Sequence, residues 1–354
     1  MTALMEARDH RSAIESPCAC DAVLLAGDRG ASRTVCGSNK SFLPVNGTPL
    51  FIHVLRALGR AELVRRICIV GPHARLEQEL REHREMPATE KTLILCEQGE
   101  SLFHNVWNAF LQLAPEARSG AEPAPALRET AVLYISGDVP LVTPMEIDCF
   151  LRSCDRSRYD YFLGIAAAEH LTFCRPRLGA PGISTHFFHI KEGKFRQNNL
   201  HLVKPLKVTN RSYIQKVYDF RYQRDLRNIL RLGREFLGVH VGWRGFWCYG
   251  LLHWHQFLSR IHLNPLTVPT RFLLPRSFIE ECVSRVLGTR FSTTVTPLVG
   301  AVLDIDNEKD YRAMCAMFAA WQQHLAELEA QICRAAGGVR PGSRAADPPA
   351  PGAG

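Results

Sequence analysis

The sequence predicts an α/β fold on a largely parallel sheet. Short apolar runs of strand length recur along its first half, stretches with helical spacing separate them, and the composition is that of a globular chain. Of 354 residues, 46% are hydrophobic and 22% charged, which argues against collagen, coiled coil or wholesale disorder. Strands that alternate with helices need right-handed crossovers, and these cover both faces of a parallel sheet.

The elements follow in order. Residues 1–19 lack any period and read as a flexible leader. With Glu6, Asp9 and Glu15 and no apolar core, the leader is no secretory signal, so a cytoplasmic location is expected. Apolar runs at Ala22–Ala26, Ile67–Val70, Thr92–Cys96, Ala131–Ile135 and Tyr161–Ala166 have strand length. Leu50–Leu58, Ala74–His83 and Ser101–Leu113 have helical character, with Ser101 as a plausible N-cap. Ala114–Arg128 reads as a surface loop. Beyond 170 the pattern changes: Ile183–Lys191 and Leu200–Val208 look like strands, and Tyr213–Leu232, 247–262 and 277–287 look helical. Leu298–Ile305 returns to strand character before a helix over Glu308–Arg334. The expected organisation is one domain from 20–169 and 298–334, an α+β insertion at 170–297, and a Gly/Pro/Ala-rich disordered tail at 335–354.

The formal charge of +8 is spread out, with Arg65-Arg66 the nearest thing to a basic run. An anionic small molecule fits this better than nucleic acid. Twelve cysteines without a C-x-x-C pair read as reduced thiols rather than a disulfide scaffold or zinc ribbon.

Two turns carry the chemistry. The first strand ends in Leu24-Leu25-Ala26-Gly27-Asp28-Arg29-Gly30, and Lys40 follows in Asn39-Lys40-Ser41-Phe42-Leu43-Pro44-Val45. A glycine-rich turn lets backbone N–H groups approach phosphate oxygens, and a lysine neutralises them. It matches neither the P-loop nor the dinucleotide fingerprint. In Tyr134-Ile135-Ser136-Gly137-Asp138-Val139-Pro140-Leu141 a carboxylate stands at the carboxyl end of a buried strand, where open α/β sheets bind ligands. An aspartate there suits Mg²⁺, which takes oxygen ligands and substrate phosphates; the ordinary alternative is a helix cap or turn.

In this order, and with Leu303-Asp304-Ile305-Asp306-Asn307-Glu308 near the end, these motifs resemble the nucleotidyltransferases of the molybdenum-cofactor guanylyltransferase-like superfamily. The resemblance covers 21–168 and 298–320. It implies a three-layer Rossmann-like (GT-A-like) fold and Mg²⁺-dependent transfer of a nucleotide from an NTP to a phosphorylated acceptor, with pyrophosphate as the other product. Carried onto this chain, Leu25, Ala26, Gly27, Asp28, Arg29 and Gly30 would wrap the triphosphate with Lys40 and Gly137. Asp138 and Asp306 would hold the metal, with Asp304 as the rival of Asp306 because residues two apart on a strand share a face, and Asp310 is expected on the helical surface. Gly99, Ser101 and Asn105 would lie beside the base and sugar, or else form a helix N-cap and its first turn. Lys191, Lys194, Arg196 and Asn199 would line the acceptor side, the charges otherwise decorating a solvated hairpin. Where most relatives carry glycines and Pro-Lys, this chain has Asp28, Arg29 and Asn39.

Other features stand beside this reading. His186 and His189 are three apart, a metal-compatible spacing, but lack a further metal-binding cluster. The aromatic stretch within 239–262, which includes Trp243, Trp247 and Trp254, suits a core helix of the insertion or a peripheral contact with a membrane surface. Arg221, Arg224, Arg227, Arg231 and Arg234 recur at helical spacing, as on a solvated face or one toward anionic lipid. Two further functions share the fold: a nucleotide-sugar glycosyltransferase using Asp304-Ile305-Asp306, and a nucleotide-binding regulator without catalysis.

Overall fold

Ala22, Val23 and Leu24 are all fully buried, so the strand they form (β1, Cys20–Leu25) must have neighbours on both edges and cover on both faces. The computed structural model describes residues 19–27, 34–83, 91–119, 122–185, 187–211, 213–214 and 268–335, with seven single positions between 242 and 258. Asp28, Arg29, Gly30, His186, the arginines at 221–234 and most of 239–262 lie outside the described residues.

After β1 come helix α1 (Leu50–Arg60), strand β2 (Val64–Gly71), helix α2 (His73–Glu82), strand β3 (Leu93–Glu97), helix α3 (Leu102–Leu113) and strand β4 (Val132–Ser136). Helix α4 (Pro144–Arg152), strands β5 (Tyr161–Ala167), β6 (Phe188–Ile190) and β7 (Gly193–Val203), helix α5 (Arg276–Leu287), strand β8 (Phe291–Val295) and helix α6 (Glu308–Ala335) complete the order. The eight strands form one sheet in the order β8-β5-β7-β4-β1-β2-β3, with β6 paired to β7. The pairs β1–β2, β1–β4, β2–β3 and β8–β5 are parallel. Strand β7 runs against both of its neighbours, β4 and β5.

Side chains alternate across the sheet. Ala22 and Leu24 join Leu133, Ile135, Leu200 and Leu202 under α1 and α4, where Phe51, Leu55, Leu58, Ile147 and Phe150 pack. On the other face Val23, Cys68, Val70, Tyr134 and Val203 meet Ala109, Phe110 and Leu113 of α3 and Leu287 of α5. Helix α6 buries Met314, Phe318, Trp321 and Leu325, a helical stripe, against Val299, Val302, Leu303 and Ile305. Helices thus cover both faces of a mostly parallel sheet, the three-layer Rossmann-like arrangement expected.

Several elements differ from expectation. Leu298–Ile305 is not a strand: it holds one 3₁₀ turn, Gly300–Val302, and Leu298, Val299, Ala301, Val302, Leu303 and Ile305 are all buried. The segment is wedged between α6 and the loop before α4, and an apolar run buried on every side has no period to distinguish strand from plug. Asp304 and Asp306 therefore do not share a strand face. Asp310, expected on the helical surface, is buried in the first turn of α6. The loop Ala114–Arg128 contains helical turns at Pro115–Arg118 and Pro125–Arg128. The hairpin strands are β6 and the longer β7, which begins in the polar run Lys194–Asn199 and stops at Val203. Within 170–297, residues 193–203 and 291–295 lie in the main sheet, so these parts are strands of the domain rather than an appendage. Among the described residues no helix is long and apolar enough to cross a membrane.

Candidate active site

The sheet order reverses at β1, with β2 on one side and β4 on the other, and the crevice beyond the carboxyl ends of such strands is where open α/β sheets hold ligands. Both motif turns open there. Past β1, Ala26 N–H donates to the Val70 carbonyl at 2.8 Å. The Gly27 carbonyl accepts from Asn39 Nδ2 at 2.7 Å, while Asn39 Oδ1 accepts from Ser41 N–H, also at 2.7 Å. Asn39 thus caps the 3₁₀ turn Lys40–Phe42 and staples it to the end of β1. A proline here would leave both groups without that side chain.

Past β4, Gly137 N–H donates to the Leu25 carbonyl at 2.8 Å. A Cβ on Gly137 would stand 3.0 Å from that oxygen, 3.0 Å from Ser41 Oγ and 3.2 Å from Phe51 Cβ. Glycine is what lets the lysine turn lie against the end of β4.

The result is a charged cluster. Lys40 Nζ lies 2.9 Å from Asp138 Oδ2 and 3.5 Å from Asp306 Oδ1. Ser136 Oγ donates to the other Asp138 oxygen at 2.5 Å. Burial works to lower the Lys40 pKa, but the charge and hydrogen bond of Asp138, with Asp306 and Asp304 farther off, override it and leave the pKa above the ordinary lysine value. Asp306 is the open side, its side chain 48% exposed against 9% for Asp138.

The late aspartates take different partners: Asp306 faces Lys40, while Asp304 Oδ1 accepts from Arg196 at 2.7 Å. Arg196 is therefore part of an internal ion pair rather than a free rim charge. Because β7 is antiparallel to β4 and pairs Leu200 with Ile135, its residues 193–199 overhang the same carboxyl edge. Asn199 Nδ2 donates to the Ala301 carbonyl at 3.0 Å. Lys191 and Lys194 are exposed on the β6–β7 hairpin and make no ion pair with the cluster.

On the far side of Gly27, its Cβ would meet Gln98 Oε1 at 3.1 Å and Asn105 Nδ2 at 3.4 Å. Asn105 Oδ1 accepts from Gly99 N–H at 2.6 Å, which fixes the turn after β3 beside the turn after β1. Ser101 caps α3, its hydroxyl accepting from His104 N–H at 3.2 Å. Sequence reasoning missed Ser136, Gln98 and the fully buried Glu146, which joins α4 to the 299–303 turn. The spacing Thr143-Pro144-Met145-Glu146, a capping-box pattern, was the available signal.

A family model described as "MobA-like NTP transferase domain" matches residues 22–235, more than half of the chain and both motif turns. The chain belongs to this family. Asp304, Asp306 and α6 lie beyond the matched stretch. Two curated relatives are each named "2-C-methyl-D-erythritol 4-phosphate cytidylyltransferase". The one from Geobacillus kaustophilus is 34% identical over 110 residues, 29% of this chain and 46% of that protein. The one from Chlorobium phaeovibrioides is 30% identical over 112 residues, 32% of this chain and 44% of that protein. The chain thus spans less than half of either relative. A hypothetical transferase from Thermus thermophilus superposes over 82% of this chain and 99% of its own with a TM-score of 0.52 and 21% identity, a likeness of fold.

Proposed function

We propose that this protein is a nucleotidyltransferase that moves a nucleoside monophosphate from an NTP to a phosphorylated small-molecule acceptor, with pyrophosphate as the second product. The observation that carries the reading is Lys40 Nζ held between Asp138 and Asp306 at the crevice beyond β1 and β4. Family membership and relatives named for a phosphate-bearing acceptor support it.

The donor set fits Mg²⁺. Two cations, Lys40 and Arg196, stand with three carboxylates, Asp138, Asp304 and Asp306, so one negative charge is left over. Among the described residues no group of three or more His, Cys, Asp or Glu could hold a metal. Mg²⁺ is a hard cation that one or two carboxylates take up together with substrate phosphates. Asp138 and Asp306 would hold it, and it would offset charge on the triphosphate.

The chain's own residues do the rest. Lys40 is protonated throughout any working range, so it is a fixed positive charge for the phosphates. Asn39 and Gly137 hold that charge in place, which spares reorganisation during transfer. An ionised phosphate oxygen on the acceptor attacks the α-phosphorus as the bond to the bridging oxygen breaks, and pyrophosphate departs with that electron pair. No general base is required, because the attacking oxygen carries no proton. The division of Asp304 and Asp306 between Arg196 and Lys40 disfavours a glycosyltransferase Asp-x-Asp pair.

The proposal places the enzyme in the cytoplasm, with the stretch from 170 to 297 on the acceptor side. It includes peripheral membrane contact through 239–262, supported by the exposed Trp247 and Trp254. Co-sedimentation with anionic vesicles tests that part, and recovery of all protein in the supernatant removes it. The reaction is tested by incubating the protein and Mg²⁺ with each of the four NTPs against sugar phosphates, polyol phosphates and pterin, reading pyrophosphate. Asp138→Ala should lose about a hundredfold in turnover while remaining folded, and Lys40→Ala should weaken NTP use. Undiminished pyrophosphate release in Asp138→Ala refutes the assignment.

A further inference from the structure

Glu146 has no solvent exposure. It sits in the first turn of α4, where its N–H donates to the Thr143 hydroxyl at 3.2 Å. In a capping box a carboxylate at this position returns to the cap residue. Here it also crosses to another segment: both oxygens accept from Ala301 N–H, at 3.2 and 3.1 Å, and the N–H groups of Gly300 and Thr143 add to them. Gly300 is held so closely that a Cβ would stand 2.0 Å from the Leu141 carbonyl oxygen and 2.9 Å from Glu146 Oε2.

The two segments so joined are the arms of the charged cluster. From α4 the chain runs back through 139–143 to Asp138, and from Ala301 it runs forward to Asp304 and Asp306. Asn199 holds the same turn from the β7 side through the Ala301 carbonyl. For stability alone an apolar side chain would fill the space at lower cost, because an ionisable group loses its hydration there. Burial pushes the Glu146 carboxyl up to about 8 against the pull of the three backbone donors. Glu329 of α6 and Cys149 of α4 face it, and burial raises both of these as well.

We propose that Glu146 is a positioning residue for nucleotidyl transfer: through Ala301 it fixes where Asp306 stands relative to Asp138 and Lys40. This rests on the nucleotidyltransferase reading above. The test is a double-mutant cycle of Glu146→Gln and Asp306→Ala, read by pyrophosphate release and by amide hydrogen exchange over 300–306. Glu146→Gln should speed exchange there and lower kcat about tenfold, with KM for the NTP changed less than about twofold; in the Asp306→Ala background its effect on kcat should fall below about twofold. Glu146→Asp, which keeps the carboxyl group but falls one methylene short, should give an intermediate kcat and serves if Glu146→Gln does not fold. Equal losses in both backgrounds, or an unchanged kcat with 300–306 loosened, overturn the positioning role while leaving the activity intact. A wild-type protein that releases no pyrophosphate with any NTP and acceptor overturns the underlying reading, and this one with it.

Discussion

Asn39 gives the sharpest test of how the lysine turn is built. Its side chain is the donor to the Gly27 carbonyl and the acceptor for Ser41 N–H, each at 2.7 Å, and the residue is 8% exposed. In Asn39→Ala the Ser41 N–H is left buried without that partner, a cost of about 1–3 kcal/mol, and loss of the half-buried bond to Gly27 adds about 1 kcal/mol. The sum, about 2–4 kcal/mol, corresponds to a fall in Tm of about 3–6 °C for a domain of roughly 300 residues. Asn39→Asp separates the two bonds, because its carboxylate still accepts from Ser41 but opposes the Gly27 carbonyl, so about half of the loss should remain. Asn39→Pro is the informative third variant. The native φ of −63° is one that proline adopts, so the backbone tolerates it, yet both side-chain bonds vanish and the variant should behave like Asn39→Ala. Differential scanning fluorimetry with and without NTP and Mg²⁺ reads both stability and ligand response. If Asn39→Ala melts with the wild type and responds equally to NTP, the staple is not what holds Lys40 in place.

Two further outcomes follow from the same geometry. Gly137→Ala places a methyl 3.0 Å from the Leu25 carbonyl oxygen and Ser41 Oγ; the backbone cannot yield while Gly137 donates to that oxygen, so about 1–3 kcal/mol of stability should be lost and turnover should fall, and a variant as stable and active as wild type contradicts the close packing. At the other end of the sheet burial works to raise the Asp160 pKa, but Arg290 and Lys204 outweigh it and hold the carboxyl at about 2. A depressed carboxylate stabilises above its unfolded value near 4 and loses that contribution as pH falls toward 2, about 2 kcal/mol in all. Urea titrations across that window should show the loss in the wild type and a shallower one in Asp160→Asn; parallel curves refute the assignment.

Much of the sheet and of the Lys40–Asp138 cluster was legible because its signals are local. The runs around Val23, Ile69, Leu95, Leu133 and Phe162 have strand length and neighbour helical stretches, and Lys40 and Asp138 follow buried strands at glycine turns, so position and chemistry point the same way. The late segment was not legible. Val299 to Ile305 is apolar enough for a strand, but Gly300 and Ala301 are shaped by Leu141 and Glu146, more than 150 residues earlier, and no local pattern carries that. Strand β8 is the converse: Phe-Ser-Thr-Thr-Val has weak apolar signal, yet its β-branched residues suffice at a sheet edge. The pairing of Arg196 with Asp304 spans 108 positions, so a charge that looks solvated in sequence becomes internal once β7 is threaded between β4 and β5.

The reversed direction of β7 has an engineering consequence. A parallel strand can offer the crevice only the loop that follows it, and a loop is free to drift. A strand inserted backwards offers its own opening half, already fixed by the ladder to β5, and the segment from Phe195 to Asn199 projects like a shelf above the places where β1 and β4 stop. Lengthening or trimming the β6–β7 turn would then reshape that side of the crevice, while the Lys40 and Asp138 turns, anchored to different strands, stay as they are.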